Sequence, residues 1–154
     1  MRVCPIADVL PHAGDMILLD GIEHVEAERI VCTRIVQPGG LFVEVDGSLP
    51  SWVGVELMAQ AIAAWAGCRA HTRQRAVQLG FLLGTRHYEA NVEAFPAGTC
   101  LRIEAIRAFH NEQGMGVFHC RIDAEGIHAE ARLNVFSPPD ADAFFRALGE
   151  GKSA

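Results

Sequence analysis

The run WVGVELMAQAIAAWAGC, Trp52 to Cys68, restricts the possible folds more than any other stretch of the chain. It holds one charged residue, Glu56, and one amide, Gln60, among apolar and small side chains. Leu57, Met58, Ala61, Ile62, Ala64 and Trp65 fall on every side of a helical projection. That pattern predicts a helix covered all round, not one lying on a surface. The run is too short and too polar for a membrane span. Glu56 and Gln60 are four residues apart and share one face. Acidic side chains are seldom fully buried without a partner, so Glu56 has two readings at this point. It salt-bridges an arginine across a packing seam or looks out through a gap in the first turn, or it is an acid kept from water and held ready for proton transfer.

A chain of 154 residues, half of them hydrophobic, is expected to form one domain over 1–154 with a sizeable core. The formal net charge of -6 argues against nucleic-acid binding, which needs a basic face. No basic region leads into an apolar core at the start, so an exported protein is not expected and the cytoplasm is. The five cysteines, Cys4, Cys32, Cys68, Cys100 and Cys120, are scattered without a CxxC and read as reduced core thiols. The seven histidines form no HxxxH and no mixed Cys/His cluster, so no metal site is expected.

Met1 to Leu10 is short and mixed. Met16 to Asp20, continuing through Val36, predicts two strands with a turn near Ala27-Glu28. Pro38-Gly39-Gly40 ends the second, and Leu41 to Pro50 reads as a loop with a turn at Asp46-Gly47. Ser51 is the expected N-cap of the apolar helix, which should run to about Ala70. After the helix, Val77 to Glu89, Thr99 to His110, Val117 to Ala124 and Ile127 to Phe136 read as strands. Leu101, Ile103 and Ala105 alternate before the phase changes, Glu125-Gly126 suits a tight hairpin, and the last strand is expected to close the sheet. Ser137 to Asp140 should start a short helix, Ala141 to Leu148. Two strands, one long helix and a run of strands predict an α+β fold with an antiparallel sheet wrapped around the helix. One small sheet leaves such a helix partly uncovered, so a homodimer is expected.

Four segments carry a resemblance. LPH-x3-MILLD, Leu10 to Asp20, resembles the opening of the FabZ/FabA 3-hydroxyacyl-ACP dehydratases. GVELMAQAIAAWAG, Gly54 to Gly67, resembles their central helix, in which an acid precedes an AMAQ-like segment. LGFLLGTRHYE and LNVFSPPD resemble the ApeP-like branch associated with aryl polyene biosynthesis.

The resemblance implies a hot-dog fold and the removal of water from a 3-hydroxyacyl thioester on acyl carrier protein, with no cofactor or metal. It implies a site at a subunit interface, with a histidine from one chain and the helix acid, here Glu56, from the other. The N–H groups at the helix start, near Val53 and Gly54, would polarise the thioester carbonyl. Gln60 would orient Glu56 or line the tunnel, unless it only bonds a neighbouring strand. The dehydratases carry their histidine in a GHFP segment before the helix, and Leu41 to Pro50 has none. His12 is the candidate replacement, with His87 a weaker one. The alternatives are a non-catalytic acyl-binding subunit or partner in a heteromeric dehydratase, and a hot-dog thioesterase. Arg69, Arg73, Arg75 and Arg86 are candidates for docking an acidic carrier protein.

Overall fold

The computed structural model describes residues 3–10, 14–72 and 81–137. A short helix α1 (Ile6–Val9) precedes a turn of 3-10 helix over Gly14–Met16, followed by strands β1 (Gly21–Val25) and β2 (Arg29–Ile35). A two-residue strand β3 (Leu49–Pro50) leads into the long helix α2 (Val53–Thr72). Strands β4 (Phe81–Ala90), β5 (Ala94–Phe95), β6 (Cys100–His110), β7 (Met115–Ala124) and β8 (Ile127–Phe136) follow. Among the described residues, six strands form one antiparallel sheet in the order β1-β2-β6-β7-β8-β4, and β3 pairs with β5 apart from it.

Period-two alternation sets which face of the sheet meets α2. Leu101, Ile103 and Ala105 of β6, Phe118, Cys120 and Ile122 of β7, and Ala129, Ala131 and Leu133 of β8 are buried. Between them, Arg102, His119, Arg121, His128, Glu130 and Arg132 are exposed. The loss of phase late in β6 coincides with a register shift between Arg107 and Phe109, where an extra residue turns the following side chains over. Helix α2 supplies the other half of the core through Val53, Leu57, Met58, Ala61, Ala64 and Cys68. Burying each large aliphatic side chain contributes about 1.5–3 kcal/mol. No residue from Val53 to Cys68 is fully exposed, while Val55, Glu56, Ala59, Ala63 and Ala66 form a half-buried stripe.

Several expectations are corrected. β8 does not close the sheet: β4 returns to pair outside it and becomes the edge. The end of the expected loop, Leu49-Pro50, is the strand β3, formed only because Ala94-Phe95 lies opposite. Residues 17–20 make no regular strand, because side chains take both polar groups of Leu18: its N–H bonds the Gln60 Oε1 at 2.8 Å and its carbonyl accepts from Arg34 at 2.6 Å. Cys100 is exposed, since it opens β6 in the outward phase. The other four thiols are buried, and desolvation pushes Cys32 and Cys120 up to about 12. Ser51 makes no side-chain cap among the described residues, and α2 starts two residues after it. The expected helix Ala141 to Leu148 lies outside the described residues.

Gly67 marks where α1 docks on α2. A Cβ there would run into the Val9 carbonyl group, with the Val9 Cβ only 2.8 Å away. The obstacle is mainly backbone and cannot rotate aside. Gly67→Ala is therefore expected to destabilise the fold by about 1–3 kcal/mol, despite alanine's better helix propensity. Urea denaturation of the two proteins measures it.

Candidate active site

Glu56 sits in the first turn of α2, half-buried, with Gln60 one turn on. Helical spacing alone brings them together, and the Gln60 Nε2 donates to the Glu56 Oε1 at 3.3 Å. Gln60 is 1% exposed and its amide is fully committed. The Oε1 accepts the Leu18 N–H, while the Nε2 donates to the Met16 carbonyl at 2.7 Å and reaches Glu56. Only one orientation of the amide satisfies this set, because the Leu18 N–H needs an acceptor and the Met16 carbonyl a donor. The expected bond from Gln60 to a neighbouring strand is not what forms: its partners Met16 and Leu18 lie in no strand, and these bonds coexist with its contact to Glu56.

Val53 and Gly54 begin α2, both buried. The Gly54 N–H bonds the Ser51 carbonyl at 2.9 Å, and the Val53 N–H has no acceptor among the described residues. Tyr88 of β4 reaches the same turn, its hydroxyl donating to the Ser51 carbonyl. The ring is delivered by an irregularity in the edge strand. The register of β4 against β8 shifts between Arg86 and Glu89, and His87 takes a φ of 57°. Bulges of this kind re-aim a side chain. Sequence alternation alone does not show this, because the bulge depends on the pairing with β8.

His12 lies outside the described residues. His87 is exposed at the bulge, next to Tyr88. His119 and His128 point away from α2, and the hydrogen bond to Asp123 raises the pKa of His128. His24 is exposed and bonds Glu26 at 2.8 Å. Of the arginines considered for docking, Arg69 stacks over the Trp65 ring at 4.8 Å and Arg86 is exposed on β4, while Arg73 and Arg75 lie outside the described residues. Beside the start of α2, Phe42 and Trp52 meet edge to face with centroids 5.4 Å apart, and both are exposed. Among the described residues no group of three His, Cys, Asp or Glu side chains is placed to hold a metal ion. No described helix is long and apolar enough to cross a membrane.

A long helix laid against a six-stranded antiparallel sheet, with an acid in its first turn, is the hot-dog arrangement. Comparison with known proteins agrees and narrows it. The model of the ApeP-like family, described as ApeP dehydratase, matches residues 4–146, and the chain belongs to that family. It is similar to a chain of the dehydratase heterocomplex ApeI:P from Xenorhabdus doucetiae, at 32% identity over 96% of this chain and 99% of that one, with a TM-score of 0.84. It shares its fold with the PaaI protein of the phenylacetic acid degradation operon of E. coli, at 15% identity, 75% of this chain, 80% of that one and a TM-score of 0.57. The same holds for a hypothetical thioesterase from Streptococcus pneumoniae TIGR4 with coenzyme A, at 13% identity, 75% and 86% coverage and a TM-score of 0.52. No curated protein matches the chain.

Two measurements test this geometry. Gln60→Leu keeps the bulk but strands the Leu18 N–H and the Met16 carbonyl, at roughly 1–3 kcal/mol for each group left buried without a partner. Chemical denaturation should show the loss, which would be absent if the amide were solvated. Tyr88 is the chain's single tyrosine, so the ultraviolet absorbance of tyrosinate reports it alone. Burial pushes its hydroxyl from 10.0 up to about 12. The folded state then holds this proton more tightly than the unfolded chain does. The corresponding stability is complete below about pH 10 and is lost as the pH rises through the folded value. A midpoint near that of free tyrosine would contradict the buried position.

Proposed function

We propose that this chain is a single hot-dog domain over 1–154 that dehydrates 3-hydroxyacyl thioesters on acyl carrier protein to trans-2-enoyl thioesters, in a cytoplasmic pathway of the aryl polyene type. The observation that carries the reading is Glu56, the carboxyl group in the first turn of the buried helix, held by Gln60. Membership of the ApeP-like dehydratase family supports it. In the reaction the C2–H and C3–O bonds break, a C2–C3 double bond forms and water leaves. Glu56 gives its proton to the departing hydroxyl, and a histidine takes the C2 proton. His12 is assigned that second role. In sequence it precedes Met16 and Leu18 by four and six residues, and both bond Gln60. The N–H groups of Val53 and Gly54 polarise the thioester carbonyl as negative charge builds on its oxygen.

We further propose that a second hot-dog subunit completes the site, as a homodimer or as a heteromer with another dehydratase chain. The exposed pair Phe42 and Trp52 beside the start of α2 supports this, as does the half-buried stripe on α2. The similar Xenorhabdus chain belongs to a heterocomplex. A second reading, a subunit that binds acyl groups or lends Glu56 to a composite site without turning over alone, is favoured by the lack of a histidine in Leu41 to Pro50.

Mass spectrometry of a 3-hydroxyacyl-carrier substrate distinguishes these readings by the loss of one water. The protein is assayed alone and with a second dehydratase chain. Glu56→Gln and His12→Ala are each expected to lower turnover by about 10²–10⁴-fold. Full turnover in His12→Ala would remove that residue from the mechanism. Turnover that appears only with the added chain would favour the composite site.

A further inference from the structure

The Ser51 carbonyl is held from two sides at the point where the chain enters α2. It accepts the Gly54 N–H at 2.9 Å and the Tyr88 hydroxyl. The Ser51 N–H is in turn bonded to the Glu93 carbonyl at 2.9 Å, directly beside the β3–β5 pairing. Both backbone groups of Ser51 are thereby held, the N–H by the connection between β4 and β5 and the carbonyl by α2 and β4. Gly54 belongs to the same arrangement. A Cβ on it would collide with the Tyr88 hydroxyl and come within 3.1 Å of the Ile122 Cδ1, so glycine and tyrosine fit each other here.

This geometry conflicts with a simple use of Gly54 as a carbonyl-binding donor, because its N–H is already taken. A carbonyl oxygen has two lone pairs, and one partly shielded from water, as that of half-buried Ser51 is, loses stability when left with no donor. If Gly54 turned to a substrate, Ser51 would be stranded unless another donor stayed behind. Tyr88 is that donor. We propose that Tyr88 is a positioning residue: its hydroxyl keeps the Ser51 carbonyl satisfied and fixed, so that the Gly54 N–H is free to leave it for the thioester oxygen, alongside the Val53 N–H, which has no acceptor among the described residues. The inference rests on the dehydratase reading above and adds to it the group that readies the donors. The Tyr88 hydroxyl does not touch the reacting atoms. Its effect falls on the transition state, in which the oxygen gathers charge, more than on ground-state binding.

The test is Tyr88→Phe in the full chain, with its partner subunit where turnover needs one. The ring still covers Gly54, and only the donor is lost. The expected result is a kcat about tenfold lower with KM and Tm nearly unchanged. A hydroxyl that served only the stability of the fold would lower Tm and disturb both constants together, and that pattern overturns the proposal. So does an unchanged kcat. Should wild-type protein show no turnover at all, the dehydratase reading fails separately. The carbonyl stretch of a bound, isotope-labelled enoyl-pantetheine then decides: lowered on wild type and restored toward its solution frequency on Tyr88→Phe supports the assignment, and equal frequencies overturn it. Should Tyr88→Phe fail to fold, fluorotyrosine labelling keeps the hydroxyl and marks this site alone, since the chain has one tyrosine. Its fluorine resonance is expected to move when the enoyl-pantetheine binds, and a stationary resonance refutes the coupling.

Discussion

The buried amide of Gln60 joins the parts of this molecule that have to work together. It lies on the central helix, yet its partners are the Met16 carbonyl and the Leu18 N–H more than forty residues earlier. An unpaired amide in that position would cost more than its bonds return, so the segment at 16–18 must lie where the amide can reach it. Arg34, 8% exposed, holds the opposite side of Leu18 from β2. Residues 16–18 are thereby fastened to helix and sheet by side chains, in place of a ladder of their own. The remaining N–H of Gln60 reaches Glu56. One amide thus anchors the strap and positions the acid.

The other end of the site is organised by the edge of the sheet. Among the described residues β4 is paired on one side only, and its bulge at His87 turns Tyr88 in toward the start of α2. An edge strand tolerates such a distortion because it has one ladder to disturb. Ser51 and Gly54 are consequently held by a residue more than thirty positions later. The two halves differ in kind. Glu56 and Gln60 are neighbours on one helix, whereas the turn that opens α2 is held by β3, β4 and the connection to β5.

That difference decides how much of the site was legible in the chain. The apolar run through Trp52 to Cys68 predicted α2, and the spacing of Glu56 and Gln60 placed them on one face, because both depend on local helical geometry. The alternation of Leu101, Ile103 and Ala105, and the Glu125-Gly126 turn between β7 and β8, were legible for the same reason. The edge position of β4 was not, since strand order depends on which partner is left when the sheet assembles. β3 escaped notice because two residues, one of them Pro50, carry no periodic signal. Cys100 looked like its four fellow thiols until the phase of β6 placed it outward.

Sequence alone determined the helix, its single acid and the strands with clean alternation, because each is specified by contacts within a few residues. It also determined the family, through the ELMAQ run and the segments around it. Only the tertiary structure decided that Gln60 bonds the strap at Met16 and Leu18, that Arg34 is buried against it, and that Tyr88 occupies the space Gly54 leaves open. Each of those pairings joins residues far apart in the chain. Their hydrogen bonds and close contacts come into being only when burial removes the competing water.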